Sequence, residues 1–329
     1  MTEKRGSCYA INGFYPSMRE KYTAKGASIH YMVVEWKESL MPWPHFRLKV
    51  IGATDPSKAS GGSLRAEIWK NYEELGLRTC PNFEENGVHA SASAFEGLCE
   101  RLNWLGNKLE DDSFGKMLLS SGVAEKDIAN WTKDPQIEFG GSKRSLFDLM
   151  EHKSTTECHQ LALKLSGDTK GRTAVNVGRR AETADDRTNC ALVFIKPHAN
   201  NPAVRKLVQH TLTRLGLKIT NEGEVRYDEM DSKRLIDNHY YSIASKAVLI
   251  SPDALHVPDE GLKKFEEEFK VTWQQAIKDG VVLNARQVCE KYEMSPEELK
   301  NAWLEGKKRG DCLRFYGGFY CVRLFAAQQ

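Results

Sequence analysis

The stretch Asn86-Gly87-Val88-His89-Ala90-Ser91 sets one imidazole beside an amide and a hydroxyl, in a sequence too rich in turn formers to be a core strand. Glu100 follows eleven residues after the histidine. A nucleophilic histidine needs one ring nitrogen open to the substrate and the other held by an acceptor that fixes the tautomer and stabilises the positive charge. Glu100 is the candidate acceptor. From Ala94 the apolar residues Phe95, Leu98, Cys99, Leu102 and Leu105 recur at helical spacing, which puts Glu96 and Glu100 one turn apart. The same residues admit a plainer reading, with Ser91 or Ser93 as a helix N-cap and Glu96 in the capping-box position.

Upstream lie Gly52-Ala53-Thr54-Asp55-Pro56 and Gly61-Gly62-Ser63-Leu64-Arg65, followed in order by Asn86, His89, Ser91 and Glu100. This ordered set resembles the catalytic half of the nucleoside diphosphate kinase family, where Gly-x-Thr-x-Pro, Gly-[Ser/Thr]-[Leu/Ile]-Arg and Asn-x-x-His-x-Ser recur in the same order. The family begins with a strand ending in Lys-Pro, and here that signal lies far downstream. Ala191 to Ile195 is a short apolar run of buried-strand length leading into Lys196-Pro197, and a helix pattern through Val204, Leu207, Val208, Leu212 and Leu215 closes at Gly216. Leu235 to Tyr240 resembles the family's helical segment ending in His-Tyr. Phe14-Tyr15-Pro16 through Tyr22 and Gly26, leading into a strand from Ile29 to Val34, resembles the segment next after that His-Tyr in the family.

The resemblance thus covers both halves in exchanged order. It implies an α+β fold, a ferredoxin-like antiparallel sheet with helices, circularly permuted and carrying a helical insertion and a C-terminal extension. Residues 8–131 correspond to the C-terminal half with trailing helices. Residues 132–187 form a helical segment and linker, the linker read over 166–188 from its few large apolar groups and many charges. Residues 188–250 complete the same domain. Residues 251–329 form a helical extension, with Ser295-Pro296-Glu297-Glu298 starting a helix and an aromatic strand or hairpin at the end. Pairing of the halves between two chains, as in domain swapping, is the alternative.

By resemblance, His89 carries the phosphoryl group, Glu100 orients it, and Tyr240 directs its phenol toward the phosphohistidine. Arg65 and Thr54 hold phosphates. Asn86 and Lys196 bond ribose hydroxyls, Lys196 also lying near the transferred group, and Tyr15, with Phe14 adjacent, supplies the ring on which the base rests. Mg²⁺ comes with the nucleotide, and no protein metal ligands are assigned. Three positions depart from the pattern. A second phosphate-binding arginine is replaced by Leu48, flanked by Arg47 and Lys49, where a one-residue slip restores a cation. Gly-Ser-Asp-Ser after the histidine becomes Ala90-Ser91-Ala92-Ser93, and Lys-Pro-Asp-Gly becomes Lys196-Pro197-His198-Ala199.

With 47 basic and 45 acidic residues the net charge is +2, which draws the chain neither to nucleic acid nor to membrane. Eight scattered cysteines form no C-x-x-C pair and read as reduced thiols of a cytoplasmic protein. No signal peptide or membrane-length apolar run is legible. The expected partners are nucleoside di- and triphosphates, with a homo-oligomer or a protein partner engaging the extension. The competing reading is a non-catalytic or weakly active nucleotide-binding interaction protein, cytoskeletal or ciliary in association.

Overall fold

The computed structural model describes residues 7–168, 187–316 and 318–325. Most of the linker expected over 166–188 lies outside them. Ten strands occur among the described residues: β1 (Ser7–Ile11), β2 (Ser28–Lys37), β3 (Val88–Ala90), β4 (Gln136–Phe139), β5 (Ser142–Ser145), β6 (Thr188–Ile195), β7 (Lys218–Arg226), β8 (Val282–Asn284), β9 (Cys312–Tyr316) and β10 (Phe319–Phe325). The molecule is α+β, and the chain divides into two compact units, residues 25–235 and residues 1–24 with 236–329. This division differs from the boundaries expected from sequence. Residues 7–24 fall in one unit with the C-terminal extension and not with the segment that carries His89.

In unit 25–235, a four-stranded antiparallel sheet runs in the order β3-β6-β2-β7. β6 is apolar almost throughout and buried along its length, as a strand covered on both faces must be. β7 is the opposite, a largely exposed edge strand rich in charge, which discourages pairing with another chain. Alternation along β3 sends Val88 and Ala90 into the main core with Val193, Ile195, Phe46, Ile68 and Phe95, and turns His89 to the other face. Segments separated by about a hundred residues in sequence therefore pair within one chain.

The segment after the Ala94–Leu105 helix is not wholly helical. Helices Ser113–Ser120 and Glu125–Trp131 precede, and Leu146–Met150 and Thr155–Asp168 follow, a largely exposed β4–β5 hairpin whose two-residue loop is Gly140-Gly141, both at positive φ. That is the conformation a type I′ turn requires, so the glycine pair marks a hairpin. Arg101, buried on the Ala94–Leu105 helix, anchors this segment. Its Nε and Nη2 donate to Asp112 at 2.7 and 3.1 Å, and its Nη1 donates to the Cys190 carbonyl on β6. Asp112 also caps the Ser113–Ser120 helix.

In unit 1–24 with 236–329, the sheet order is β8-β1-β10-β9, with β1 parallel to β8 and antiparallel to β10. Strict alternation along β1 fills two cores. Cys8 and Ala10 pack with Val288, Leu299, Trp303 and Val322, whereas Tyr9 and Ile11 pack with Phe265, Phe269, Trp273 and Phe319. The Ser295 capping box forms as its sequence requires, starting the Pro296–Lys308 helix. The extension is therefore not a helical tail but the larger part of a folded unit. No helix among the described residues is long and apolar enough to cross a membrane.

Asp112→Ala removes the partner of a buried guanidinium together with a helix cap. It should destabilise the protein by about 3–5 kcal/mol. Urea unfolding is the measurement, and a loss comparable to that of a surface aspartate would contradict the anchoring role.

Candidate active site

His89 sits at the centre of a three-residue strand, directly opposite Phe194 of β6. The imidazole stacks on the Phe194 ring, with centroids 4.6 Å apart and planes 24° from parallel. Its Nε2 lies 2.5 Å from Glu100 Oε1. Glu100 is 3% exposed on the Ala94–Leu105 helix, and its other oxygen accepts from Ser91 Oγ at 2.5 Å. Ser91 Oγ in turn accepts the Leu192 N–H of β6 at 2.8 Å. A relay of donors thus runs from the central strand through the serine to the carboxylate that holds the imidazole. Ser93 is the helix N-cap, accepting the Glu96 N–H, so the capping reading and the site reading hold together.

Burial pushes the His89 pKa well below the ordinary value, and the nearby Arg47, Lys196 and Arg65 push it the same way. In the tautomer that donates Nε2–H to the Glu100 carboxyl, the ring carries its lone pair on Nδ1. A carboxylate at that distance would offset positive charge appearing on the ring.

Arg47 reaches this centre because of a backbone irregularity. Residues Phe46–Ile51 form a π-helix closed by Gly52 N–H to Arg47 O at 3.0 Å, a bond spanning five residues. One such turn accommodates an extra residue relative to an α-helix, shifting the cation from the expected position 48 to 47. Leu48 is left 51% exposed. Arg47 Nη1 donates to the Ala90 carbonyl beside His89, and its Nε is buried without a partner in the protein. Gly52 ends the turn at φ +99°, where an added Cβ would stand 2.5 Å from Ser63 Oγ.

The remaining expected residues of this unit line the same strand end. Lys196 directly follows β6, its backbone N–H bonding Gly87 O and its Nζ bonding Glu84 O at 3.0 Å. Asn86 is buried. Its Nδ2 donates to Thr54 O at 3.0 Å, and its Oδ1 has no protein partner, leaving an acceptor for an incoming hydroxyl. Thr54 is exposed on the turn after Gly52. Arg65 is 5% exposed, and its Nη1, Nε and Nη2 donate to the carbonyls of Gly52 and Val88. It braces the His89 strand while contributing its charge. His198, where the resemblance leads one to expect an acid, accepts the Gly87 N–H on Nε2 at 3.1 Å and so supports the same loop.

Tyr15 and Tyr240 belong to the other unit. Tyr15 is fully buried there, its hydroxyl donating to Asp237 at 2.6 Å, and Arg19 pairs with the same carboxylate. It has no ring face open to a base, so the stacking role expected of Tyr15 is corrected to that of a core residue with a satisfied hydroxyl. The reason is the Tyr15–Thr23 helix, which directs this ring into its own unit's core. Phe14 is likewise packed, against Trp303 and Tyr320. Tyr240 is half-buried at the start of the short Tyr241–Ala244 helix, its ring edge-on to His239. Sequence reasoning reached Arg47 only as one of two cations that a one-residue slip from Leu48 would restore, and it missed Ser91 as the Glu100 partner and Phe194 as the stacking surface. A two-residue alternation from Val88 would have paired His89 and Ser91 on one face.

Arg47→Leu should weaken ATP binding by about 1.5–3 kcal/mol, and Leu48→Arg should leave both ATP affinity and Tm unchanged. Calorimetric titration and thermal melts decide it. Tighter binding in Leu48→Arg would show that the π-helical register is not what places the cation.

No family model, curated protein or solved structure matches this chain.

Proposed function

We propose that this chain transfers the terminal phosphate of a nucleoside triphosphate to a nucleoside diphosphate through a phosphohistidine at His89, as a circularly permuted relative of the nucleoside diphosphate kinases. The observation that carries this reading is the His89–Glu100 pair, with Nε2 held at 2.5 Å and cations of Arg47, Lys196 and Arg65 acting on the ring. In the first step the Nδ1 lone pair attacks the terminal phosphorus, the bond to the bridging oxygen breaks, and the nucleoside diphosphate leaves. In the second, a terminal oxygen of the acceptor diphosphate displaces Nδ1. The three cations offset charge on the moving group, and Glu100 stabilises the phosphorylated, positively charged ring. The Asn86 Oδ1 acceptor suits a ribose hydroxyl, and the exposed Thr54 suits a phosphate. Mg²⁺ bound to the nucleotide would offset charge on its phosphates, and no residue of this chain is assigned to hold it.

The strand order supports the same reading. If the segment from β6 is taken first, the four strands of unit 25–235 number β6, β7, β2, β3, and the sheet reads 4-1-3-2 with every neighbour antiparallel. A ferredoxin-like sheet has that order, so the pairing supports the reading of one such domain with its two halves exchanged in sequence. A second reading, a nucleotide binder with little turnover, is favoured by Arg65, whose donors bond backbone carbonyls, and by the burial of Tyr15.

Incubation with ATP labelled on the terminal phosphate should yield a label lost in acid and retained in alkali, and His89→Ala should abolish it. Glu100→Gln should slow labelling by about 10²-fold or more while leaving ATP affinity within a few-fold. ATP binding without label in the wild type would select the second reading.

The depressed His89 pKa also has a sign. The neutral, nucleophilic ring persists as pH falls through 6.5, so labelling should hold there and fail only lower, with the folded-state pKa. A label-rate profile with its acid midpoint at or above 6.5 would show that the Glu100 carboxyl outweighs burial and the three cations at His89.

A further inference from the structure

Gly87, two residues before His89, is held on both sides by the turn that follows β6. Its carbonyl accepts the Lys196 N–H at 2.9 Å, and its own N–H donates to His198 Nε2 at 3.1 Å. The residue has φ +86°, and an added Cβ would stand 2.9 Å from Ile68 Cδ1, so only glycine lets the loop pass this close to the Leu64–Lys70 helix. Asn86 is the next residue back. It is 1% exposed and tied through Nδ2 to Thr54 O at 3.0 Å, and its Oδ1 is buried with no partner among the described residues. The placement of the Asn86–Gly87 peptide therefore decides where that acceptor points. The charged groups at this loop come from three elements: Glu84 and Glu85 from the loop itself, Lys196 from the His198 turn with Nζ on Glu84 O at 3.0 Å, and Arg65 from the Leu64–Lys70 helix, bonded to the neighbouring Val88 carbonyl.

We propose that His198 is a positioning residue for nucleotide capture: neutral, it clamps Gly87 and sets Asn86 Oδ1 toward an incoming ribose hydroxyl, and protonated, it releases the peptide and weakens the site. The inference rests on the nucleotide reading of the same site. A ring nitrogen accepts an N–H only while it carries a lone pair, so the bond to Gly87 requires Nε2 bare and the single proton of the neutral ring on Nδ1. A proton added to Nε2 sets two donors against each other. The charge it brings is drawn to Glu85, whose Oε1 lies 3.9 Å from Nδ1, and both effects take the ring away from Gly87. An aspartate at this position, the residue that the resemblance leads one to expect, would accept the Gly87 N–H down to about pH 4. A histidine changes charge between about pH 5 and 8. The replacement keeps the clamp and makes it respond to acid in the physiological range.

The test follows the Gly87 amide resonance by NMR in the full chain from about pH 8 down to about pH 5, and measures MgATP affinity by calorimetry over the same range. In the wild type the amide should shift in one step on acidification, and affinity should fall by about five- to tenfold across that step. In His198→Gln, whose side-chain oxygen accepts an N–H without titrating, the step should vanish and the acid loss of affinity should shrink to what protonation of ATP itself causes. His198→Asp gives the same comparison should the glutamine variant fold poorly, and His198→Ala should bind weakly at every pH. The labelling rate at saturating ATP follows the His89 ring, so it should not share the step. A Gly87 amide that stays still in the wild type, or a step and an acid loss of affinity that persist unchanged in the glutamine or aspartate variant, overturns the proposal. If neither wild type nor variants bind ATP at any pH, the transfer reading falls, and the Gly87 amide still decides the role of His198.

Discussion

The constraint that orders unit 25–235 is a carboxylate that must be satisfied away from water. Glu100 is almost fully buried, and an ionised carboxyl there is tolerated only if both oxygens are met. The imidazole meets one and the serine hydroxyl the other, and the serine is itself fixed by a backbone amide of the central strand. Each link fixes an element. The Ala94–Leu105 helix must cross the sheet where Glu100 reaches β3, β3 must pair with β6 in the register that sets Ser91 beside Leu192, and His89 must leave the face opposite Val88 and Ala90. The placement of His89 is thereby a by-product of making one buried carboxyl acceptable.

Around this anion the unit arranges its cations by different means. Arg101 is matched to Asp112 and to a carbonyl, and serves the fold. Arg65 is spent on two carbonyls that flank the site loop, so its charge is felt at His89 although its donors are turned inward. Arg47 keeps a buried, unpartnered Nε, the one feature of the three that anticipates a ligand. The same residue type at three positions thus ranges from structural to chemical, and only the hydrogen-bond partners separate them.

Much of the unit was legible because its signals are local. The apolar run into Lys196-Pro197, the helix closed by Gly216 and the Ser93 cap each depend on a few neighbouring residues, and each appears where the spacing puts it. The pairing of His89 with Glu100 was legible for the same reason, since eleven residues can only turn back through a helix. Arg47 could be named only alongside Lys49 as a one-residue slip from Leu48, because a π turn leaves no mark in a pattern read at about 3.6 residues per turn. Tyr15 was misread because an aromatic ring has the same sequence signature whether it faces a ligand or a core, and its hydroxyl partner, Asp237, lies 222 residues away. The boundary of the second unit failed similarly: nothing near Ser7 announces a partner at Phe325.

That last pairing bears on how the chain is made. β1 leaves the ribosome well before its parallel neighbour β8 and its antiparallel neighbour β10. At about 5–20 residues per second, β1 waits roughly 15–60 seconds for the strands that pair with it. Unit 25–235 has all its strands on the nascent chain by Arg226 and can close around His89 in the meantime. A translation stall between β7 and β8 would therefore leave a nascent chain with the strands around His89 paired and β1 without its neighbours, a species suited to recognition by chaperones that bind extended apolar segments.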